Sequence, residues 1–357
     1  MSARFEWNPS RAQKKLDLSK CCSAPTASSC ALESVAFLAP PAADPQRITE
    51  RIACAMKMSL RWTWGQAWLL LNGAMLLWAA NSVAARMAVS QISPMMLVSL
   101  RWLVISLVVA IAMPSRIGAN FQVLWERRWL ILALATFGLT GFNVLLYSAA
   151  HWTDAIDMVL LQSLIPVFVL AGGVVRGVRA SLMQMVGIGL TCIAVLLVAT
   201  CGHPLEILSL SINRGDLLIL LACFFGAWYT LTLPRRPEIS AIVFFAALAV
   251  AAFLSSLPML AWEVVRGHAY APTALGWCVV LFTAFGPGLC AQVFYLRAVE
   301  LIGSAGVGPY NNLVPIYGAL LGVGLIGEVF AFYHAAGLVL ALSGIALCQR
   351  RALARPQ

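Results

Sequence analysis

Charged side chains are scarce in this sequence. Asp, Glu, Lys and Arg make up 11% of the 357 residues, 61% of the residues are hydrophobic, and the mean hydropathy is +0.86. A soluble domain has about 25% charged residues, so this chain has too few charged residues to form a water-exposed surface. The composition excludes a soluble globular enzyme and a disordered chain, and it predicts a protein of the lipid bilayer.

The sequence also lacks the motifs that mark most enzyme and metal sites. None of the ten cysteines forms a C-x-x-C pair or stands beside a histidine at metal-ligand spacing. A G-x-G-x-x-G turn after a strand, a P-loop, an H-E-x-x-H helix and a Ser/His/Asp set are absent as well. We therefore expect free thiols that act as small hydrophobic side chains, no catalytic residue, no cofactor and no metal.

The first part of the chain differs in composition from the rest. Residues 1–56 carry seven Lys and Arg with five Asp and Glu, and they have neither a long apolar run nor the pattern of a signal peptide. We predict that residues 1–60 form a disordered N-terminal cytoplasmic extension. The alternative is that translation begins at Met56 or Met58.

Ten long apolar runs follow. Each is close to the roughly 20 residues that a helix needs to cross a bilayer core, and none shows the alternation over about ten residues that is typical of barrel strands. The runs cover residues 67–87, 94–113, 129–150, 156–175, 182–199, 217–233, 240–265, 275–296, 304–326 and 330–347. We predict an all-α integral membrane protein with ten transmembrane helices.

The Lys and Arg residues between the runs indicate an orientation. If the first helix begins in the cytoplasm, thirteen of these cations lie in cytoplasmic segments and three, Arg86, Arg214 and Arg266, lie in outer loops. This bias predicts a multi-pass protein of the inner membrane with both termini in the cytoplasm. Because the cations are dispersed and form no basic face or arm, the net charge of +10 does not indicate nucleic-acid binding.

The two halves of the apolar region share weak similarity at an offset of about 148 residues. FGLTGFNVLLY (137–147) aligns with FGPGLCAQVFY (285–295), WAANSVAARM (78–87) with GAWYTLTLPR (226–235), and Pro166 with Pro315. Five helices per half would insert the second repeat in inverted orientation, as in secondary transporters with a mid-membrane substrate site. Chance similarity between Ala-, Leu- and Gly-rich helices is the alternative. We assign the repeats to residues 65–200 and 212–350, and a cytoplasmic tail to residues 351–357.

Several short sequence motifs follow one another along the chain. They are LLWAANSVAARMA (76–88), SPMMLVSLRWLVISL (93–107), YSAAHWTDA (147–155), the Pro-aromatic steps IPVF (165–168) and VPIY (314–317), and GVGLIGE (322–328). In this order, over about residues 65–350, the sequence resembles the drug/metabolite transporter superfamily, in particular its EamA-like branch. The resemblance implies ten helices, cytoplasmic ends, a cavity between helices 1, 3, 4, 6, 8 and 9, and export or exchange of small metabolites. Arg179 stands where the family often has an acidic residue.

Polar side chains within the apolar runs are candidates for a substrate site, because unpartnered polar groups in a bilayer are costly and usually face the bundle interior. Asn311 and Asn312 precede Pro315, and Gln162 and Ser163 precede Pro166. Each proline would kink its helix and free a carbonyl group for a substrate or cation. The further candidate binding residues are Trp78, Asn81, Asn143, Tyr147, Tyr229, Gln292, Tyr295 and Tyr310. The alternatives are hydrogen bonds between helices for the amides, and core packing or an interfacial belt for the aromatic rings.

Charged residues in or near the spans are candidates for substrate binding or proton coupling. Arg101 lies within the second run, where its guanidinium either binds a substrate carboxylate, or holds helix ends together or extends to the interface. Candidates for proton coupling, all close to span ends, are Asp154, Asp157, Glu300, Glu328, His151 and His334. We expect Asp154 and Asp157 to lie in a solvated loop at the outer mouth.

Together these features predict a secondary transporter that moves a small metabolite, an amino acid or a related organic compound, outward by alternating access. It would work in the lipid bilayer as a monomer or homodimer. The sequence shows no ATPase segment, so a proton gradient or the substrate's own gradient would drive it. The alternatives are an integral-membrane lipid enzyme, disfavoured by four scattered histidines, and a non-transporting membrane sensor or subunit.

Overall fold

The computed structural model describes residues 45–177, 181–202 and 213–349. The first 44 residues of the predicted extension, Arg179 and the predicted tail at 351–357 lie outside the described residues. Helical residues begin at Pro45, within the predicted extension, and no further proline or glycine occurs before Gly65. The helices discussed below belong to one compact unit, Trp62–Gln357.

All regular secondary structure among the described residues is helical. In chain order the apolar helices are α1 Trp64–Ala88, α2 Pro94–Ala112, α3 Arg128–Ala149, α4 Ala155–Val175, α5 Leu182–Ala199, α6 Arg214–Arg235, α7 Ala241–Val265, α8 Ala274–Gly303, α9 Tyr310–Ile326 and α10 Phe332–Leu347. Eight of them, α1 to α8, have the length and composition to cross a bilayer, whereas α9 and α10 are shorter. Two six-residue helices, Pro114–Ala119 and Phe121–Glu126, connect α2 with α3. The architecture is that of a multi-pass membrane protein.

The boundary between α8 and α9 differs from the prediction. The apolar pattern predicted spans at 275–296 and 304–326, but the helical backbone continues beyond α8 to Val307 through a kink at Gly303. Gly303 has a φ of 75°, a left-handed value that glycine adopts without the steric penalty of a Cβ atom. A 3-10 turn over Gly308–Asn312 then leads into Leu313–Ile326, which shortens the regular part of α9.

Glycines bring several helices into close contact. α2 packs along α7, α5 packs along α10, and α6 lies against α3 and α4. Gly318 of α9 lies against Val159 of α4, and Gly344 of α10 lies against Thr191 of α5, with no room for a Cβ at either glycine. Such small residues let helices pack by van der Waals contact, which matters in lipid because no hydrophobic force drives helices together.

Two helices contain π-helical segments at corresponding places. The segments are Leu134–Gly141 in α3 and Ala284–Cys290 in α8. Shifted by the 148-residue offset, the first segment overlaps the second. Turns of this kind are wider than α-helical turns and often occur at functional sites, and residues of both segments line the cavity described next.

Candidate functional site

A cavity of about 370 Å³ is lined by residues from both halves of the sequence. Its volume lies within the range of small-molecule sites, about 300–1,000 Å³. The wall is formed by α1, α2, α3, α4, α6, α8 and α9, with one residue each from α7 and α10. Helix α2, which the resemblance did not include, contributes Arg101 and Trp102.

Most of the predicted binding residues line this cavity. They are Trp78, Asn81, Asn143, Gln162, Ser163, Gln292, Asn311 and Asn312, together with Pro166, Pro315 and Arg101. Tyr147, Tyr229, Tyr295 and Tyr310 were also predicted but do not belong to the lining.

The four tyrosines pack behind the wall. Tyr147 is buried and hydrogen-bonded to Arg101. The ring of Tyr229 fills the space beside Gly138 in the π-helical segment of α3. The ring of Tyr295 lies 5.2 Å from that of Trp78, and Tyr310 packs against a buried apolar cluster. The tyrosines therefore support the cavity-lining residues and do not form the wall themselves.

Arg101 is at the centre of a buried polar cluster. Its Nη1 donates to Oδ1 of Asn143 at 2.7 Å, to the hydroxyl of Tyr147 at 2.5 Å and to Oδ1 of Asn81 at 3.4 Å. The hydroxyl of Tyr147 in turn donates to Oδ1 of Asn81 at 2.9 Å. Arg101 is 5% exposed, so its side chain is enclosed by the neighbouring helices. The cluster joins α2 to α1 and α3.

The polar side chains near the two prolines differ in their hydrogen bonds. Gln162 donates to the hydroxyl of Ser82 at 3.3 Å and to the carbonyl of Met158 at 2.9 Å, so it joins neighbouring groups. In contrast, Oγ of Ser163 and Oδ1 of Asn312 are buried and have no partner in the described part of the chain. Unpartnered buried polar atoms are uncommon in proteins, which makes Ser163 and Asn312 candidates for binding a ligand.

Irregular backbone lines the cavity on several helices. Pro166 and Pro315 each follow a short 3-10 turn, Gln162–Leu164 and Gly308–Asn312. Proline has no N–H to complete the α-helical bond to the carbonyl four residues earlier. Nε1 of Trp78 donates to the carbonyl of Pro287 in the π-helical segment of α8 at 3.3 Å. At membrane depth such backbone is tolerated where it is buried in protein or lines a cavity.

Carboxylates are concentrated at the end of the bundle where α1 ends and α2 begins, called here the α1–α2 end. Glu263, near the end of α7, accepts a 2.7 Å hydrogen bond from the hydroxyl of Ser93 and longer ones from backbone N–H groups at the start of α2. Glu328, after α9, accepts from the N–H groups of Ala155 at 2.7 Å and Ile156 at 3.0 Å. Each carboxylate therefore caps the N-terminus of a helix in the other half, where the helix dipole favours negative charge.

Asp157 contributes another contact between the halves. Its Oδ1 lies 3.1 Å from Nε2 of His334 on α10, and both side chains are largely buried. The expectation of a solvated loop was wrong for Asp157, because α4 begins at Ala155 and its first turn directs Asp157 towards α10. Asp154 fits that expectation better, since its side chain is 57% exposed and lies 3.2 Å from Arg86.

Glu328 has an altered proton affinity in this setting. Burial raises the pKa of Glu328 above its ordinary value, and the negative charge of Asp154 acts in the same direction. The hydrogen bonds from Ala155 and Ile156 and the positive charge of Arg86 oppose the increase. The protonated form is therefore favoured in the folded protein relative to a solvated glutamate.

Sequence reasoning missed several residues of this region. Glu263 gave no local signal, because its partner Ser93 is 170 positions away. Trp102 and Phe142 also line the cavity, but in the sequence nothing distinguishes them from the other apolar residues of their spans. Among residues 45–177, 181–202 and 213–349, no three His, Cys, Asp or Glu side chains converge so that they could hold a metal ion.

Comparisons with known proteins show the family and the fold of this chain. The profile described as the EamA-like transporter family matches residues 64–200 and 213–349. The uncharacterized transporter YetK of Bacillus subtilis (strain 168) is 24% identical over 283 residues, covering 78% of this chain and 85% of that protein. An uncharacterized transporter of Archaeoglobus fulgidus is 26% identical over 300 residues, covering 78% and 96%. A solved crystal structure shares the fold with a TM-score of 0.52 at 17% identity, covering 81% of this chain and 99% of that one.

Proposed function

This chain belongs to the EamA-like transporter family, and from that premise we propose that it exports a small metabolite across the inner membrane by alternating access. The metabolite is an amino acid or a related organic compound. The protein is a membrane transporter and not an enzyme, in keeping with its relatives, which are named transporters. The proposal includes ten spans in two inverted repeats, residues 65–200 and 212–350, between cytoplasmic termini.

The observation that carries the proposal is the position of the cavity. Its lining starts about one turn or more inside the α1–α2 end, at Val159 of α4 and Arg101 of α2. It extends to Thr230 of α6 and Ile345 of α10, which lie close to the opposite ends of their helices. Contacts between the halves, including that of Asp157 with His334, lie at the α1–α2 end beyond the cavity. Alternating access requires such contacts to open and re-form as the halves move relative to each other.

A cross-link at the α1–α2 end tests alternating access. The hydroxyl of Thr273 donates to Oε1 of Gln91 at 2.6 Å, and its N–H donates to the Gln91 carbonyl at 2.9 Å, so the two residues join the halves. We expect the double variant Gln91→Cys/Thr273→Cys, in a chain with its ten native cysteines replaced, to lose flux on oxidation and to regain it on reduction. The assay is flux in proteoliposomes with a panel of labelled amino acids, organic acids and amines.

Each single variant, Gln91→Cys or Thr273→Cys, is the control and should keep its flux under oxidation. Full flux through a fully cross-linked double variant would contradict alternating access at this end. Absence of flux for every compound, in both directions, would contradict transport itself.

The orientation and the energy source need separate measurements. A reporter fused after Gln357 should be cytoplasmic, and a periplasmic signal would contradict the topology.

Flux measured with and without an imposed pH gradient separates proton coupling from movement down the substrate's own gradient. Cross-linking in native membranes separates a monomer from a homodimer.

A further inference from the structure

Arg101 places an unbalanced positive charge on the cavity wall. It is the single charged side chain among the described residues that line the cavity. Its hydrogen-bond partners Asn81, Asn143 and Tyr147 are neutral, as is the ring of Trp102, whose centroid lies 5.3 Å from the guanidinium carbon. No carboxylate lies within 4 Å of the guanidinium in the described part of the chain. Guanidinium is a permanent cation, and a buried cation without a counter-charge is strongly unfavourable. The site is therefore electrostatically incomplete in this structure.

One nitrogen of the Arg101 guanidinium is left for a ligand. All three hydrogen bonds of Arg101 start at Nη1, and Nη2 makes no bond to any described residue. Nε also has no partner among the described residues, but it is fully buried beside Gly288, where an added Cβ would already be 2.6 Å from Ile105. Since Arg101 lines the cavity, Nη2 can donate to a bound carboxylate, and such a charged hydrogen bond is about twice as strong as a neutral one.

Five acids at the α1–α2 end have other partners than Arg101. Glu263 binds the start of α2 and Glu328 the start of α4. Asp157 pairs with His334, and Asp154 pairs with Arg86. Asp216 accepts a hydrogen bond from Thr153 at 2.8 Å. All five carboxylates are engaged at the α1–α2 end, so the balancing charge has to come with a bound molecule.

The other residues of the cavity wall are uncharged and suit the uncharged part of a substrate. The ring of Trp78 provides apolar surface, and the same wall carries Ser163 and Asn312, whose Oγ and Oδ1 have no partner among the described residues. No carboxylate lines the described wall, so an ammonium group would find no counter-charge there. We propose that Arg101 binds the carboxylate of the substrate and that the substrates are small organic carboxylates without a required amino group. This inference rests on the proposed transport function, because it names the substrate class of the same cavity.

Matched pairs of small molecules test the inference by binding to the purified full-length chain. The carboxylates are propionate, isovalerate and phenylacetate, each compared with its uncharged amide, and phenethylamine and L-phenylalanine complete the set. We expect at least one carboxylate to raise the unfolding temperature at pH 7.5 while its amide does not. In Arg101→Met the preference for carboxylate over amide should fall by about 10- to 100-fold, as expected for loss of a charged hydrogen-bonded pair.

The control for a change of charge is Arg297→Met, because Arg297 is exposed and paired locally with Glu300. It should keep the preference. If Arg101→Met does not fold, Arg101→Lys serves instead. The cation remains, but a lysine lacks the planar group that donates to Asn143 and Tyr147 through one nitrogen and keeps another for the ligand, so carboxylate binding should weaken by about tenfold. Unchanged carboxylate binding in Arg101→Lys would overturn the inference. So would stabilisation by phenethylamine alone, by L-phenylalanine without phenylacetate, or by none of the carboxylates.

Flux separates this inference from the proposed function. Binding of a carboxylate that depends on Arg101, with no flux of that carboxylate in proteoliposomes, would overturn transport and leave the receptor role standing. Flux of phenethylamine at the same rate in the parent chain and in Arg101→Met would support transport and overturn the receptor role.

Discussion

The hydroxyl of Ser93 donates a 2.7 Å hydrogen bond to the carboxylate of Glu263, a residue 170 positions later in the chain. Ser93 immediately precedes α2, which has no acidic residue in its own first turn. The negative charge at this helix N-terminus therefore comes from α7 of the other half. Glu328 caps α4 in the same way, so two helices of the first half depend on acids of the second half.

Removing the cap at α2 should destabilise the fold. We expect Glu263→Ala to lower the free energy of unfolding by about 2 kcal/mol, because one buried hydroxyl and nearby N–H groups lose their acceptor. The control Glu300→Ala removes an acid from an exposed pair with Arg297 and should cost less than about 1 kcal/mol. Denaturant unfolding in detergent measures both, and equal losses would contradict a capping role for Glu263.

Glu328 should give the stability a pH dependence of defined sign. Burial raises its pKa in the folded state above the unfolded value, which is about 4.3. Its stabilising contribution is therefore complete below the unfolded pKa and is lost as the pH rises through the folded pKa. We expect the unfolding temperature of the parent chain minus that of Glu328→Gln to decrease from pH 4.5 upward. A difference that grows with pH would show that the folded pKa is lowered instead.

Asn312→Ala should separate flux from stability. Oδ1 of Asn312 is buried at the cavity without a partner, so its removal breaks no hydrogen bond among the described residues. We expect flux to fall about tenfold, the effect of one lost substrate hydrogen bond, with unchanged expression and unfolding temperature. The matched control is Asn72→Ala, which removes the acceptor of the Tyr317 hydroxyl and should lower stability. Parallel loss of expression and flux in Asn312→Ala would make Asn312 a structural residue.

Gly138→Ala should destabilise the π-helical segment of α3. A Cβ at this position would overlap the ring and Cβ of Tyr229, which packs against the apolar core. Overpacking of this kind costs about 1–3 kcal/mol. Gly189→Ala in α5 is the matched control, because nothing lies within 4 Å of its added Cβ. In that control the helix preference of alanine over glycine should leave stability equal or higher by up to about 1 kcal/mol.

Much of the fold followed from local composition. The apolar parts of α1 to α8 begin and end near the predicted runs, apart from the C-terminal end of α8, although helical backbone precedes α1 from Pro45. That end, and the start of α9, could not be read from hydropathy, because Gly303 and the 3-10 turn change the backbone direction without changing the apolar character. The polar residues near the prolines could be recognised from the sequence, because Asn312 and Ser163 are polar groups within apolar runs.

The sequence by itself determined that this chain belongs in a membrane and which polar residues interrupt its spans. Both depend on the transfer of each segment into lipid, which is nearly additive along the chain. Only the tertiary structure decided which of these groups meet. The hydrogen bonds of Arg101 with Asn143 and Tyr147, and the contact of Asp157 with His334, span 42, 46 and 177 positions. The partners that a buried charge finds, and the donor groups that it keeps for a ligand, depend on how the helices pack around it, and no local pattern encodes that.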